Sequence, residues 1–212
     1  MSLRLWLVRH GESTWNAAGR LQGRANPPLT ELGREQARRV GRRLAALPVQ
    51  ALYCSPQQRA LETARIIGRH LGVEPRLDER LQEYDIGEAT GTDWEGLLER
   101  WPHLGEMARQ GRRISRHIPG AEEIGAFHAR VLGMMDEIQE RHEAGDVAVV
   151  AHGGVFSDYL ATLLHVNPGF HPGLRFDNGS LTLVESLEEG RADVIFVNET
   201  CHLSVDGDDE GR

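Results

Sequence analysis

The sequence predicts an α/β fold, in which an open and mostly parallel β-sheet carries helices on both of its faces. Segments with strand-like and helix-like patterns alternate along most of the 212 residues, as they do in repeated β-α-β units. One segment, residues 147–151, is apolar at every position. A strand without polar alternation is typical of a parallel sheet that is covered on both faces.

The individual elements follow from local patterns. Five short apolar runs are predicted as strands, at residues 3–8, 51–54, 147–151, 180–185 and 192–197. Four helices are predicted, at residues 31–47 with Thr30 as N-cap, at 55–71 with Ser55 as cap and Pro56 in the first turn, at 122–143, and at 154–164. Residues 94–110 contain helical patches that Pro102 and Gly105 are expected to break, while residues 21–28 and 77–91 lack a regular pattern.

Length and composition restrict the class of protein. We expect a single domain over residues 1–205, followed by a disordered acidic tail over residues 206–212. The net charge of −8 argues against binding to nucleic acid or to a membrane surface, and no apolar run is long enough to span a bilayer. Two cysteines, Cys54 and Cys201, suggest free thiols in a reducing compartment, so a cytoplasmic location is expected.

Polar residues follow three of the predicted strands at the point where each strand ends. Ligands of open α/β sheets bind beyond the carboxyl ends of the strands, so these residues are expected to converge. Arginines in such a crevice suggest a phosphate or a carboxylate, and a histidine can be a nucleophile, an acid or base, a metal ligand or a residue of the core. The three sets are Arg9-His10-Gly11, Ser55 with Arg59, and His152-Gly153-Gly154.

Five segments in order resemble the histidine phosphatase superfamily, also called phosphoglycerate-mutase-like. They are LVRHGESTWN, LQGRANPPLTELGREQA, SPQQRALETA, LQEYDIGEATG and VVAHGG. The resemblance implies a three-layer α/β/α sandwich that requires no metal or other cofactor. It also implies His10 as a transiently phosphorylated nucleophile and Glu83 as proton donor. The remaining phosphate or substrate contacts that it implies are Arg9, Asn16, Gln22, Gly23, Arg59, His152 and Gly153.

Elementary chemistry is consistent with these roles. His10 must be neutral to attack phosphorus, and nearby arginines lower the pKa of an imidazole. His152 is expected to be better protonated, because a bound phosphate dianion raises its pKa and an imidazolium neutralises the phosphate oxygens. Glu83 must give a proton to the leaving oxygen and then take one from water.

Several of these residues have alternative interpretations. Arg59 could form a surface salt bridge with Glu62, and Asp85 competes with Glu83 as the acid. Asn16 and Gln22 could be turn residues. A zinc site on His10 and His152 is possible in principle, but adjacent arginines would repel a dication.

A cysteine mechanism is a further alternative. Cys54 and Arg59 form a Cys-x4-Arg pattern, one residue shorter than the Cys-x5-Arg loop of tyrosine phosphatases. The shorter loop could not wrap a phosphate in the same way, so Cys54 is interpreted as a packing residue at the end of a strand.

The predicted function is a metal-independent phosphomonoesterase that hydrolyses a small phosphorylated metabolite through a phosphohistidine. The alternatives are a cofactor-dependent phosphoglycerate mutase and a phospho-ligand-binding protein with little turnover. Residues 83–128 are expected to cover the site. Arg112, Arg113 and Arg116 in this segment are either a solvated basic face or a clamp for a substrate carboxylate.

Overall fold

A six-stranded sheet forms the centre of the computed structural model, which describes residues 2–167, 170, 172–187 and 191–204. The strands are β1 (Leu3–Arg9), β2 (Val49–Cys54), β3 (Pro75–Leu77), β4 (Gly145–Ala151), β5 (Leu181–Ser186) and β6 (Ala192–Glu199). Their order is β3-β2-β4-β1-β5-β6. β3, β2, β4 and β1 are parallel, whereas β5 and β6 pair in antiparallel fashion. The predicted mostly parallel α/β sheet is therefore confirmed.

Helices cover both faces of this sheet. They are α1 (Thr14–Ala17), α2 (Glu31–Leu44), α3 (Gln58–Leu71), α4 (Trp94–Arg100), α5 (His103–Arg109), α6 (Ile124–Arg141) and α7 (Gly153–Leu163). One apolar core lies between the sheet and α6 and α7, and another lies between the sheet and α2 and α3. The three-layer arrangement that the family resemblance implies is thus present.

Strand β1 shows why these segments lack polar alternation. Leu5 and Leu7 belong to the core beneath α6 and α7, whereas Trp6 and Val8 belong to the core beneath α2 and α3. Successive side chains of a strand point to opposite faces, so a central strand with two covered faces must be apolar throughout. The indole N–H of Trp6 donates to the buried carboxylate of Asp146 at 2.7 Å, which satisfies the polar atom that this packing buries.

Several helix boundaries differ from the prediction. α3 begins at Gln58, and Ser55 does not cap it, because the Ser55 hydroxyl contacts Nε2 of His152. α2 ends at Leu44 instead of residue 47: Ala45 and Ala46 form a turn, and Pro48 disfavours helical backbone at Leu47. Pro102 does separate α4 from α5, but Gly105 lies inside α5 and does not break it.

Residues 83–128 fold around an apolar cluster of their own. Its buried members are Ala89, Leu97, Leu104 and Ile118, drawn from α4, α5 and the turns that flank them. The predicted acidic tail, residues 206–212, lies outside the described residues. Within the described ranges, no helix is both long enough and apolar enough to cross a bilayer.

The loop that follows β1 lies directly against the first turn of α2. A Cβ atom on Gly11 would collide with the carbonyl oxygen of Gly33, so neither backbone could keep its place with a side chain at that point. The N–H of Gly11 also donates to Oγ1 of Thr63 on α3 at 3.0 Å. These contacts determine the position of His10, the preceding residue.

We predict that Gly11→Ala destabilises the protein by roughly 1–3 kcal/mol, the usual cost of overpacking a tight contact. Gly133→Ala is the matched control, because a Cβ on this glycine of α6 would meet open space. Since alanine favours a helix, the control should gain about 0.5–1 kcal/mol. Urea denaturation measures both changes, and a Gly11→Ala variant as stable as the parent would contradict the packing described.

Candidate active site

The polar residues predicted at three strand ends do converge. In the sheet, Arg9 at the end of β1 is opposite Ala151 of β4, and Cys54 at the end of β2 is opposite Val150. The residues that follow these strands therefore meet at one edge. They border a cleft of about 420 Å³ whose lining includes Arg9, His10, Asn16, Gln22, Arg59 and Glu83.

The hydrogen bonds of His10 indicate which ring nitrogen carries the proton. Nδ1 lies 2.7 Å from the carbonyl oxygen of Gly11, which can only accept a hydrogen bond. Nε of Arg59 donates to Nε2 of His10 at 3.1 Å. The imidazole is therefore neutral and protonated at Nδ1, and its Nε2 lone pair is directed toward the guanidinium.

Arg59 is 1% exposed and is held by backbone carbonyls. Its Nη1 donates to Ala25 at 2.7 Å and its Nη2 donates to Gly23 at 3.0 Å. The alternative of a salt bridge with Glu62 is wrong, because Glu62 pairs with Arg34. Burial lowers the pKa of Arg59 to about 10, so the guanidinium remains charged at neutral pH.

Both histidines are buried, and their rings lie 5.1 Å apart. Burial first, and then the positive charges of Arg59 and Arg9, lower the pKa of His10 well below 6.5. Burial and Arg59 lower the pKa of His152 in the same direction. The protein's own groups therefore keep both rings neutral, and protonation of His152 requires the charge of a bound anion.

Two buried side-chain nitrogens, one on Arg9 in the cleft and one on His152 behind it, lack a hydrogen-bond partner among the described residues. Nε of Arg9 has none, although Nη1 of the same side chain donates to the carbonyl of Phe176. Nδ1 of His152 has none either, while Nε2 contacts the hydroxyl of Ser55 at 2.9 Å. Buried donors are normally satisfied, so the Nε–H of Arg9, a residue that lines the cleft, is suited to an anionic ligand.

Glu83 occupies the cleft, whereas Asp85 does not line it. One carboxylate oxygen of Glu83 accepts from the N–H of Gly154 at 3.1 Å, in the first turn of α7. A Cβ atom at residue 154 would collide with that carboxylate, so Glu83 keeps this position only while residue 154 is glycine. Asp85 instead accepts from the N–H of Gly87 and stabilises a turn.

Asn16 and Gln22 both contact Ser13 and lie where they could reach a ligand. Their side-chain oxygens each lie 2.9 Å from the hydroxyl of Ser13, and both residues line the cleft. Asn16 also completes the capping box of α1 with Ser13. Of the two predicted phosphate-site glycines, Gly23 lines the cleft and directs its carbonyl at Arg59, and Gly153 begins α7.

Two residues of the site carry no recognisable sequence signal. The buried amide of Gln57 donates to the carbonyl of Gly23 at 3.0 Å and accepts from the N–H of Glu83 at 2.7 Å. Asn178 donates to the carbonyl of His10 at 3.0 Å. Gln57 has an exposed glutamine as its neighbour, Gln58, and periodicity does not distinguish the two.

Arg112, Arg113 and Arg116 differ in their surroundings, so they form neither one basic surface in contact with water nor a joint clamp for a substrate carboxylate. Arg113 is largely buried and pairs with the buried carboxylate of Asp158 at 3.2 Å. His128 contacts the other oxygen of Asp158 at 2.8 Å. Arg116 donates to His117 at 3.1 Å, and Arg112 is exposed.

The cysteine and metal alternatives receive no support from the geometry. Cys54 is buried in the core beneath α2 and α3, and burial raises the pKa of its thiol to about 12, which disfavours the thiolate that a nucleophile requires. Within the described part of the chain, no group of three or more histidine, cysteine, aspartate or glutamate side chains could hold a metal ion.

Comparison with known proteins identifies the family. The model of the histidine phosphatase superfamily (branch 1) matches residues 5–200. The chain belongs to this superfamily. The match extends over nearly the whole chain, so the resemblance carried by the five sequence segments is confirmed.

Relatives within the histidine phosphatase superfamily carry more than one name. Phosphoserine phosphatase 1 of Hydrogenobacter thermophilus is 31% identical over 95% of this chain and 94% of its own. A protein named "Probable phosphoglycerate mutase GpmB" from Salmonella choleraesuis is 31% identical over 88% of this chain and 86% of its own. The mycobacterial glucosyl-3-phosphoglycerate phosphatase structure has a TM-score of 0.84 at 27% identity, covering 93% of this chain and 99% of that one.

We predict that the free energy of unfolding decreases as the pH falls from about 7.5 to about 5.5. The unfolded chain binds protons at His10 and His152 below pH 6.5, whereas the folded protein, with both pKa values lowered, does not. The contribution of these histidines to the free energy of unfolding is fully present above about pH 6.5. Between pH 7.5 and pH 5.5, the contribution of each histidine decreases by roughly 1 kcal/mol.

Urea denaturation at the two pH values measures this difference, and His10→Asn should remove about half of it. Equal stability at both pH values, or a gain on acidification, would show that the buried rings are not kept neutral.

Proposed function

We propose that this histidine phosphatase superfamily member hydrolyses a small phosphorylated metabolite through a phosphohistidine at His10, without a metal. One observation carries the proposal: the Nε2 lone pair of His10 lies beside two arginines, in the same cleft as the carboxylate of Glu83. Nucleophile, cations and acid are thus available to one phosphate group. Relatives named as phosphatases of phosphoserine and of glucosyl-3-phosphoglycerate support the same reaction class.

In the first step, Nε2 of His10 attacks phosphorus and the bond from phosphorus to the ester oxygen breaks. The N–H of Arg59 that now bonds to Nε2 must turn to a phosphate oxygen, which frees the lone pair as it binds the substrate. Arg9 supplies a second guanidinium, with its unpartnered Nε–H. Protonated Glu83 gives its proton to the leaving oxygen, and the product alcohol departs.

In the second step, water attacks the phosphorus of phospho-His10 and the nitrogen–phosphorus bond breaks. Glu83, now a carboxylate, takes a proton from that water, so the acid is restored along with neutral His10. The dianionic phosphate raises the pKa of His152, and the imidazolium that forms stabilises charge on the phosphate oxygens.

Phosphoryl transfer between positions of phosphoglycerate is the alternative, and the relative named as a probable mutase favours it. We propose that residues 83–128 cover the site in either reaction. In this chain, the segment up to the start of α6 contains two seven-residue helices and short turns around a small apolar cluster. Such a limited cover favours entry of water and therefore hydrolysis. The phospho-ligand-binding alternative does not need the acid, which this cleft retains at Glu83.

Rapid quenching after mixing with a labelled phosphomonoester tests the nucleophile. We expect acid-labile, alkali-stable label on His10, followed by release of inorganic phosphate. His10→Ala should lose both the label and turnover, whereas His70→Ala, which replaces an exposed histidine of α3, should keep both. Label on a cysteine or serine would contradict the mechanism.

Supplying 3-phosphoglycerate with catalytic 2,3-bisphosphoglycerate separates hydrolysis from transfer. Hydrolysis predicts release of inorganic phosphate with little 2-phosphoglycerate. Isomerisation much faster than phosphate release would replace the phosphatase proposal with the mutase.

Gln57→Leu should impair the acid step more than the attack by His10, because the N–H of Glu83 loses Gln57 as its acceptor, whereas the carbonyl of Gly23 still accepts from Arg59. We expect about a tenfold loss of kcat with an alkyl phosphate, as for the removal of one or two hydrogen bonds. The loss with p-nitrophenyl phosphate should be smaller, since nitrophenolate leaves without a proton.

Glu83→Gln should show the same substrate dependence, with a larger loss. Gln58→Leu is the matched control because this neighbouring side chain is exposed, and it should behave as the parent. If Gln57→Leu lowers turnover of both esters equally, Gln57 does not act through Glu83.

A further inference from the structure

A second cavity, of about 440 Å³, adjoins the phosphate cleft. Tyr84 and Gly154 line both cavities, and the N–H of Gly154 bonds the carboxylate of Glu83. The acid therefore lies at the junction. A leaving oxygen that receives its proton there must carry the remainder of the substrate away from His10, and the second cavity adjoins that point.

The walls of this cavity are largely apolar. The apolar residues are Ala108 of α5, Ile114 of the connection that follows α5, and Ile124 and Phe127 of α6. A cavity of this volume lies within the usual range of roughly 300–1,000 Å³ for small-molecule sites. Its chemistry favours a ligand with an apolar body.

The charges in the wall are mostly compensated. The guanidinium of Arg113 pairs with Asp158 and also donates to the carbonyl of Phe170, so it is not available to a ligand carboxylate. Arg112 also lines the cavity, where its side chain is exposed to solvent. Ser157 is only 6% exposed, and its hydroxyl finds no hydrogen-bond partner among the described residues. The cavity thus combines a largely apolar wall with the buried hydroxyl of Ser157, and its remaining cation, Arg112, is in contact with water.

We propose that this second cavity binds the alcohol portion of the substrate, and that the preferred esters are those of uncharged alcohols with an apolar or aromatic body. The proposal rests on the proposed phosphatase function of the adjoining cleft. Ser157 would bond a single polar atom on that alcohol. An alcohol that carries a carboxylate would lose hydration against the apolar wall, and an ion pair with the solvent-exposed Arg112 would return only a small part of that free energy, so such esters should be poorer substrates.

Binding of two non-hydrolysable phosphonates tests the cavity independently of turnover. Calorimetry should give a dissociation constant for 2-phenylethylphosphonate about 10- to 150-fold lower than that for ethylphosphonate, which is the gain expected from burying one aromatic ring. The two ligands present the same phosphonate to the cleft. Equal dissociation constants would overturn the proposal, whether or not the protein hydrolyses esters.

Two variants assign that preference to the cavity. Ala108→Phe fills the space and Ile114→Asp places a charge in the wall, so each should bring the ratio of the two constants close to one. Ala129→Phe is the matched control, because Ala129 is exposed on α6 and lines neither cavity. An unchanged ratio in both cavity variants, with the fold intact by circular dichroism, would locate the phenyl group elsewhere and overturn the proposal.

Measurements of turnover then distinguish the proposed phosphatase function from the proposed preference for apolar alcohols. We expect kcat/KM for 2-phenylethyl phosphate to exceed that for ethyl phosphate and for phosphoserine. Hydrolysis that favours phosphoserine would overturn the substrate class and leave the phosphatase function standing. If the protein prefers 2-phenylethylphosphonate but hydrolyses no ester, the apolar ligand preference stands and the phosphatase function is overturned.

Discussion

The site depends on one buried contact, between the guanidinium of Arg59 and Nε2 of His10. A permanent cation beside an imidazole, both removed from water, makes a second positive charge costly. The contact therefore keeps His10 neutral and also directs its lone pair. It persists because the carbonyls of Gly23 and Ala25 take the other N–H groups of Arg59, so that the buried charge is surrounded by acceptors.

The sheet topology makes this contact possible. β4 lies between β1 and β2, and all three end at the same level, so the residues after them meet without a long loop. Two glycines then allow close approach, Gly11 against α2 and Gly154 against the carboxylate of Glu83. Gln57 connects the carbonyl that holds Arg59 with the backbone of Glu83, so the nucleophile and the acid share one support.

Features that depend on a repeating pattern could be predicted from the sequence, and those that depend on a single tertiary contact could not. The buried strands show as apolar runs because both faces of the sheet are covered, and parallel strands bring His10, Arg59 and His152 to one edge. Ser55 has the local pattern of a helix cap, but its hydroxyl is used by His152 instead. The roles of Gln57 and the pairing of Arg113 with Asp158 arise between segments far apart in sequence, where local pattern carries no information.

The protonation state of His10 is the most direct test of the central contact. Nitrogen-15 NMR of the histidine-labelled protein at neutral pH distinguishes a protonated ring nitrogen from one with a free lone pair. The structure predicts a neutral His10 with its proton on Nδ1 and a lone pair on Nε2, and Arg59→Met should raise the pKa of that ring. A proton on Nε2, or an imidazolium at neutral pH in the parent protein, would contradict the account.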